Sequence, residues 1–405
     1  MRNRLVVTAA AALTACCTVA ACSSSSSTAS PPSNTSAAPT AAAAATSGPA
    51  PATSVPAPAT TGSSASATGG AGTGFKGTLT VAYQDFGTSH QLDAELKKVK
   101  TDYEAANPGA NVKLLPINAD ENSYYTKLGL LNRSPGTAPD VLYEDTFLVN
   151  SDVASGYLAP LDDYLAKWTD WAQFSTSAQQ AGKSLDGKTY GVPIGTDTRG
   201  LYYNKQIFAQ AGLPADWKPK TWDDVLAAAR TIKAKVPGVT PLNVYSGKGA
   251  GEGATMQGFE MLLYGTKNSL FDTASQKWFT TSQGFKDSLN FVKTVYSEKL
   301  GPAVQDALNP NFGQTVGNSL LPKGKLAIDL DGSWLPLNWQ GTGAAAPWPQ
   351  WSSVLGWTAM PTQDGQAPGA NSMSGGWLLS VGSHAKDKQA AFNFVSVFAN
   401  KAHSL

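Results

Sequence analysis

The sequence predicts an α/β fold that is built in two successive units. Residues 78–144 alternate between strand-like and helix-like segments in the order β-α-β-α-β, which is typical of a parallel, doubly wound sheet with helices on its faces. A second alternation of helices and strands runs from residue 221 to residue 400. Residues 75–405 are long enough to form two ordinary domains.

The first unit begins with a predicted strand at residues 78–83, where β-branched side chains are frequent. Residues 89–107 predict an amphipathic helix that ends at Asn107-Pro108-Gly109. The apolar face of this helix consists of Leu92, Leu96, Val99 and Tyr103. The remaining elements predicted for this unit are a strand at 112–117, a helix at 124–131 and a strand at 140–144.

Polar side chains follow two of these strands. Gln84 and Asp85 come after the first strand, and Glu144 and Asp145 stand at the end of the third. Ligands of doubly wound sheets bind outside the carboxyl ends of the strands, so these four residues are candidate ligand contacts. The alternative role for the acidic residues is to cap the helix that follows.

Residues 182–189, GKSLDGKT, have the spacing of a phosphate-binding loop. That motif requires a strand before the glycine loop and a helix after it. Here residues 171–181 predict a helix, and the segment after Lys188 is β-branched and aromatic and contains Pro193. The context therefore favours a hairpin turn at Asp186-Gly187 over a nucleotide site.

The second unit begins with a predicted helix at residues 221–235, with Thr221 as N-cap and Asp224 three residues later. The inward positions of this helix are Trp222, Val225, Leu226, Ala229 and Ile232. The later predicted elements are a strand at 241–245, a helix at 285–300, strands at 325–330, 354–360 and 377–381, and a final helix at 386–400.

The N-terminus predicts export and lipid attachment. Arg2 and Arg4 precede an apolar run at residues 5–21, as in a secretory signal. Small residues precede both Cys16 and Cys22, and we expect cleavage and lipidation at Cys22 because a polar serine run follows it directly. An ordinary secretory signal with incidental cysteines is the alternative.

Residues 22–74 predict a flexible tether, since they are Ser, Ala, Thr, Pro and Gly with almost nothing else. Such a chain would reach about 40 Å from its anchor. All three cysteines, Cys16, Cys17 and Cys22, precede the folded part, which excludes a disulfide framework or a thiol nucleophile there. Removal of Arg2 and Arg4 changes the formal charge from +1 to −1, which argues against nucleic-acid binding.

Four segments together resemble the carbohydrate-binding, maltose-binding-protein-like family of extracellular solute-binding proteins of ABC importers. They are GKTYGVPIGTDTRGLYYNKQIFAQAGLP with KTWDDVLAAARTI, PDVLYEDTFLVNSDVASGYLAPLDDYL, GKLAIDLDGSW, and GWTAMPTQDG with SGGWLLSVGSHAKDKQAAFNFV. They occur in the expected order over nearly all of residues 75–405.

The resemblance implies two α/β lobes, joined by hinge strands, with a central ligand cleft. Lobe one would comprise residues 75–193 and 361–405, and lobe two residues 194–360. The implied role is to deliver a mono- or oligosaccharide to an ABC permease by hinge closure, as a lipid-anchored protein on the extracellular face of the membrane. The resemblance implies a monomer with no cofactor, no bound metal and no enzymatic activity. Family members usually continue beyond the last predicted helix, so contacts drawn from such a tail are not expected here.

A sugar site needs flat aromatic rings for the apolar sugar faces and polar groups for the hydroxyls. Trp334 follows a predicted strand and an open Gly-Ser turn, and Trp377 follows Gly375-Gly376, where the backbone can approach a ligand. These two tryptophans and Gly376 are therefore predicted contacts. Packing within one lobe is the alternative for the two tryptophans.

Asp197 and Arg199 fall at the first crossing between the lobes. They are predicted either to bind the sugar or to form an ion pair that holds the hinge. The glycine-rich segment at 247–253 is expected to form a mobile loop near the cleft mouth.

Two rival functions remain open. A secreted glycosidase would also use carboxylates and tryptophans. No Gly-x-Ser-x-Gly or His-Glu-x-x-His motif occurs, however, and the three histidines, His90, His384 and His403, have no triad or metal spacing. A binding protein for a charged solute would need clustered opposite charge in the cleft, and no such cluster is evident along the sequence.

Overall fold

The computed structural model describes residues 74–85, 90–272, 274–341, 343–401 and 403. The predicted signal, Cys22 and almost all of the tether lie outside these residues. The strands are β1 (Gly77–Gln84), β2 (Ala110–Ile117), β3 (Val141–Asp145), β4 (Gly191–Pro193), β5 (Arg199–Asn204), β6 (Thr240–Asn243), β7 (Phe271–Asp272), β8 (Lys277–Trp278), β9 (Leu326–Gly332), β10 (Leu355–Thr358), β11 (Met360–Pro361), β12 (Ala370–Asn371) and β13 (Trp377–Val381).

The helices are α1 (Gln91–Ala106), α2 (Glu121–Asn132), α3 (Val149–Ala154), α4 (Asp162–Leu165), α5 (Thr176–Ala181), α6 (Lys205–Ala211), α7 (Trp222–Lys235), α8 (Met261–Leu263), α9 (Gln283–Ser297), α10 (Val304–Ala307), α11 (Phe312–Thr315), α12 (Trp351–Val354) and α13 (Lys388–Phe398). The long helices α1, α2, α7, α9 and α13 lie where apolar periodicity predicts them, whereas the helix predicted at residues 171–181 is a 3-10 turn followed by the separate short helix α5. Short 3-10 turns occupy Thr169–Gln173, Lys248–Ala250 and Leu335–Asn338, and π-helical turns occupy Ala254–Glu260 and Val316–Leu320.

The first sheet has the strand order β2-β1-β3-β13-β4. Its first three strands are parallel, as the β-α-β-α-β order predicts. β13 runs antiparallel to both β3 and β4, so the sheet as a whole is mixed. Two apolar cores cover its faces: one packs Val81 and Val141 against α1 and α13, and the other packs Leu142 against α2.

The second sheet has the strand order β10-β5-β9-β6, with β6 parallel to β9 and the other pairs antiparallel. It too has a core on each face. Leu201 and Ile328 pack against α7 on one face, and Tyr202 packs with Trp339 on the other. The two sheets thus carry separate cores.

Helix α7 illustrates why these sequences form these elements. The Thr221 hydroxyl accepts from the Asp224 backbone N–H at 3.2 Å, and the Asp224 carboxylate accepts from the Thr221 N–H at 3.0 Å, which forms the predicted capping box. Such a cap contributes about 1 kcal/mol. The positions predicted to face inward, Trp222, Val225, Leu226, Ala229 and Ile232, are all buried.

The chain passes between the two sheets in two places. Residues 194–198 lead from β4 to β5, and the return path from β10 to β13 includes the β11–β12 hairpin. This hairpin forms hydrogen bonds to α8 and the turn after it, which belong to the lobe of the second sheet. The Gln363 N–H donates to the Gly265 carbonyl, and Asn371 Nδ2 donates to the Met261 carbonyl. The lobe boundaries stay predictions, and these bonds favour a second boundary nearer Trp377 than residue 361.

Residues 183–189 form a turn and not a phosphate-binding loop. Lys183 and Thr189 pair as an antiparallel bridge, and the Ser184 N–H donates to the Lys188 carbonyl at 3.0 Å. Gly187 adopts a φ of +83°, a left-handed conformation that favours glycine. The hairpin turn predicted at Asp186-Gly187 is therefore present.

None of the helices in the described part of the chain has the length and apolar character required to cross a bilayer.

Candidate ligand-binding site

A cavity of about 600 Å³ lies at the carboxyl ends of β1 and β3, and residues of both sheets line it. Tyr143 and Asp145 of β3 and Trp377 of β13 contribute from the first sheet, and Asp331 of β9 contributes from the second. The volume is within the range of small-molecule sites. The predicted location of a ligand site beyond the strand ends of the first sheet therefore holds a real cavity.

The two crossing segments are fastened to each other beside this cavity. Asp197 Oδ1 accepts from Arg199 Nη1 at 2.7 Å and from the Gly375 backbone N–H at 2.8 Å. The Ser372 hydroxyl accepts from the Arg199 N–H at 3.0 Å and donates to the Arg199 carbonyl at 2.9 Å. Asp197 and Arg199 therefore link the outgoing segment of the chain to the returning one.

Two adjacent glycines permit this close approach. A Cβ at Gly375 would lie 3.0 Å from Arg199 Nη1, and a Cβ at Gly376 would lie 2.7 Å from the Gly195 carbonyl oxygen. Gly376 also has a φ of +131°, which disfavours any other residue.

Aromatic rings form part of the wall. Trp377 stacks on Tyr143 with ring centroids 4.2 Å apart and planes 1° apart, and it also contacts Tyr124 and Tyr125. Trp334 lies over the guanidinium of Arg199, 5.0 Å from ring centroid to Cζ, in a cation–π contact. Both predicted tryptophans line the cavity while packing against protein groups on at least one side.

Three carboxylates converge in the cavity wall. Oxygen atoms of Glu121, Asp145 and Glu252 all lie within 4.8 Å of one another. Glu121 stands in the first turn of α2 and Asp145 at the end of β3, whereas Glu252 belongs to the glycine-rich segment between β6 and α8. Among the described residues, this is the group that could hold a metal ion or another cation.

Burial and mutual repulsion raise the pKa values of these carboxyls. Burial, followed by the charge of Asp145, raises the pKa of Glu121 to about 7. Burial, followed by Asp145 and Glu121, raises the pKa of Glu252 to about 9. Burial also raises the pKa of Asp145, although hydrogen bonds from the Phe147 N–H and the Tyr125 hydroxyl oppose that rise. Arg199 opposes the rise at all three.

Two further buried carboxyl groups, those of Asp329 and Asp331, lie on β9. Asp331 lines the cavity, where it accepts from the Tyr245 hydroxyl at 2.9 Å, and burial raises its pKa to about 6. Asp329, two residues earlier, accepts from Asn243 Nδ2 at 2.9 Å. Burial and the adjacent Asp331 raise the pKa of Asp329 well above its usual value.

The structure brings most of the predicted contacts together. The predicted residues that line the cavity are Gln84, Asp145, Asp197, Arg199, Trp334, Gly376 and Trp377. Whether they contact ligand stays a prediction. Asp145 also accepts from the Phe147 N–H in a local turn, but it does not cap α3, whose N-cap is Leu148 with no side-chain hydrogen bond, so the alternative of helix capping is wrong for Asp145.

Two predicted contacts do not line the cavity. Glu144 is 1% exposed and lies on the opposite face of β3 from Tyr143 and Asp145, because side chains alternate along a strand. It faces Asp152, although their oxygens do not meet hydrogen-bond geometry. Asp85 lies beyond β1, where its carboxylate is 2.6 Å from His90 Nδ1.

Sequence reasoning missed Glu121, Glu252 and Asp331. Asp331 could have been found, since it directly follows the predicted strand at 325–330 and lies three residues before Trp334. Glu121 and Glu252 carry no local signal, because only the tertiary fold brings them beside Asp145.

The chain belongs to the bacterial extracellular solute-binding protein family, whose model matches residues 87–403. A putative binding protein of Brucella abortus is 34% identical over 140 residues, which are 34% of this chain and 32% of that protein. The lactose-binding protein of Rhizobium radiobacter is 25% identical over 305 residues, which are 74% of this chain and 66% of that protein. The matches thus span from about a third to about two thirds of these relatives.

Among solved structures, an ABC transporter solute-binding protein from Thermotoga lettingae, bound with α-D-tagatose, has a TM-score of 0.67. The two chains are 24% identical, and the match covers 80% of this chain and 78% of that one. This likeness shows the fold, which is the two-lobed α/β architecture of solute-binding proteins. The predicted fold class is confirmed.

We expect Arg199→Met to destabilise the protein at neutral pH. Arg199 is 4% exposed and offsets the charge of several buried carboxylates. Removing one member of a buried ion pair costs about 3–5 kcal/mol. Urea unfolding monitored by tryptophan fluorescence would measure the loss. Arg230→Met, which removes an arginine from the exposed pair with Glu298, is the matched control and should lose far less; equal losses would contradict the role given to Arg199.

We expect Glu144→Gln to become more stabilising as pH rises. Burial, with the charges of Asp152 and Asp145, raises the folded-state pKa of Glu144, so its contribution to stability is complete below about pH 4.5 and is lost as pH rises through the folded value. Glutamine stays neutral, so the free energy of unfolding of the variant minus that of wild type should rise between pH 4 and pH 8.

Denaturant unfolding across that pH range would measure the difference. Glu298→Gln is the control, because Arg230 lowers the pKa of the Glu298 carboxyl and that variant should show no such gain. A pH-independent difference for Glu144→Gln would contradict the burial argument.

Proposed function

We propose that this protein captures a saccharide or polyol in the cavity and delivers it to the membrane subunits of an ABC importer. The observation that carries the proposal is the composition of the cavity wall. Aromatic rings, carboxylates and one guanidinium, contributed by both sheets, surround a volume of about 600 Å³.

These groups suit the chemistry of a sugar. Trp334 and Trp377 offer ring surface to apolar sugar faces, and Asp145, Asp331 and Arg199 offer acceptors and donors to hydroxyls. The names of relatives support the same solute class: one is a lactose-binding protein and another is a multiple sugar-binding protein. Two solved relatives contain tagatose and ribitol.

The proposed mechanism is closure of the lobes about the two crossing segments. Residues 75–193 and the chain from about Trp377 onward would move against the segment between them, which includes the β11–β12 hairpin, and a solute that contacts both lobes would favour the closed form. Support comes from the wall itself, since Asp145 lies on the first sheet and Asp331 on the second. The closed form would then dock on the permease.

The proposed location is the extracellular face of the cell membrane, with the protein held by a lipid on Cys22 and by residues 23–74 as a tether. The support is the signal-like N-terminus and the extracellular family. We propose a monomer that uses no cofactor and no metal.

A panel of monosaccharides, oligosaccharides, polyols, peptides and amines, screened by thermal shift and then by calorimetry, tests the solute class. The proposal expects saturable stabilisation by at least one saccharide or polyol. Saturable stabilisation by peptides or simple amines alone would contradict it.

A glycosidase is the second candidate, because retaining enzymes place two carboxyl groups about 5–5.5 Å apart and the Glu121, Asp145 and Glu252 oxygens lie within 4.8 Å. We propose that the protein is not an enzyme, in keeping with its family. Release of reducing sugar from any bound oligosaccharide, at a rate above that of buffer alone, would contradict this part of the proposal.

We expect Trp334→Ala to weaken binding of the solute found by the panel by more than tenfold, since the ring supplies an apolar platform in the cavity wall. Isothermal calorimetry measures the dissociation constant, and circular dichroism checks the fold. Trp278→Ala is the matched control, because Trp278 is 67% exposed and is not a lining residue. An unchanged dissociation constant for Trp334→Ala would remove Trp334 from the site.

A further inference from the structure

The charge balance of the cavity is strongly one-sided. Its lining residues include six carboxyl side chains and one basic side chain, that of Arg199. The carboxyl residues are Asp120, Glu121, Asp145, Asp197, Glu252 and Asp331. Asp197 already engages Arg199 at 2.7 Å, and Trp334 covers a face of the same guanidinium. The protein therefore places one basic side chain against six carboxyl groups, and burial with mutual repulsion raises the pKa of several of those carboxyls.

The excess is concentrated at the group of Glu121, Asp145 and Glu252, whose oxygens lie within 4.8 Å of one another. The charged groups that influence Glu252 are Asp145, Glu121 and Asp197, with Arg199 as the opposing cation. Three carboxyls at such distances repel one another when ionised, and a hydroxyl ligand does not relieve that repulsion because it brings no charge.

Two polar atoms in the same wall lack partners. Glu252 Oε2 is inaccessible to water and has no hydrogen-bond partner among the described residues. Arg199 is 4% exposed and lines the cavity, and its Nε likewise has no acceptor among those residues. Buried polar atoms are rarely left unpaired, so the hydrogen bonding of this wall is incomplete within the described part of the protein.

We propose that the solute is a saccharide or polyol that carries a protonated amine, with its ammonium seated among Glu121, Asp145 and Glu252. An ammonium has three N–H donors and a positive charge, which matches three convergent carboxyls. An oxygen on a neighbouring carbon of the solute lies beside the Arg199 guanidinium, and the sugar ring lies against the aromatic part of the wall. This inference rests on the proposed function and specifies its solute.

A simple metal ion fits the wall less well. Asp145 Oδ1 and Oδ2 already accept from the Phe147 N–H and the Tyr125 hydroxyl at 2.8 Å, which leaves acceptor capacity for a single N–H donor but supplies few ligands to a hard cation. Calcium takes six to eight oxygen ligands. The Arg199 guanidinium and the aromatic rings of Trp334 and Trp377, which line the same wall, cannot act as oxygen ligands for a metal ion.

The amine also has a measurable proton linkage. Because the pKa of Glu252 is raised to about 9, its carboxyl is protonated at pH 7 when no cation is bound. A bound ammonium stabilises the ionised carboxylate, so an amino sugar whose amine is already protonated displaces a proton from Glu252 into the buffer, whereas an unprotonated amine takes that proton up itself. A neutral sugar brings no charge that stabilises the ionised carboxylate, so its binding releases no proton from Glu252.

Three disaccharides with one ring skeleton provide the test: the β-1,4 disaccharide of glucosamine, its N,N′-diacetyl form, and cellobiose. Calorimetry at pH 7 with the full chain, in buffers of different ionisation enthalpy, measures affinity and proton release together. We expect the free amine to bind at least tenfold more tightly than either neutral disaccharide, with net proton release for the amine alone.

The same titrations with Glu252→Gln should reduce the amine-to-neutral affinity ratio by at least fivefold. Glu260→Gln is the matched control, because Glu260 also has a pKa raised by burial but does not line the cavity, and it should keep the wild-type ratio. An unchanged ratio in Glu252→Gln, with the fold intact by circular dichroism, would overturn the inference.

The remaining outcomes separate this inference from the proposed function. Equal or tighter binding of the neutral disaccharides overturns the amine but leaves a sugar receptor. Saturable binding of spermidine with none of any saccharide or polyol overturns both. Calcium chloride that binds chelator-treated protein and excludes the amino sugar would assign the three carboxyls to a metal and overturn the inference.

Discussion

The hydrogen bonds of the Asp197 carboxylate hold together the part of the molecule on which the rest depends. One oxygen accepts from Arg199 Nη1 and from the Gly375 N–H, so a single carboxylate ties the two segments that run between the sheets. The same contact fixes Arg199 beside Asp145 and Asp331, and Arg199 lies against Trp334. The hinge and the cavity wall are therefore built from the same side chains. Asp197 and Arg199 line the cavity and also bond the two crossing segments to each other. Their position is therefore compatible with both predicted roles, solute binding and support of the hinge.

Much of the fold follows from local sequence. Helix α7 is capped at Thr221, buries the predicted apolar positions and ends at Lys235, as predicted. Strand β13 occupies the predicted residues 377–381. Local sequence did not indicate in which direction a strand runs in the sheet or which strands it pairs with. β13 pairs antiparallel between β3 and β4, which depends on the route of the chain through the second sheet. The β11–β12 hairpin was missed because its strands are only two residues long.

Residues of the cavity wall were predicted where the neighbouring sequence indicates their location in the fold. Trp377 after two glycines, and Asp145 at the end of a buried strand, both reached the cavity wall. Glu144 did not, because the alternation of side chains along a strand sends adjacent residues to opposite faces. The group of Glu121, Asp145 and Glu252 was invisible for a different reason: its members are brought together only by tertiary folding, so the sequence showed no cluster of charge where the structure has one.

We propose that a solute held between the sheets draws the two lobes together about the Asp197–Arg199 hydrogen bond. Small-angle X-ray scattering of the full chain, with and without a saturating solute identified by calorimetry, would measure this closure. We expect the radius of gyration to fall on saturation and the scattering to follow the same binding curve as the heat. Saturation by calorimetry in the same sample, with scattering unchanged across the whole titration, would contradict it.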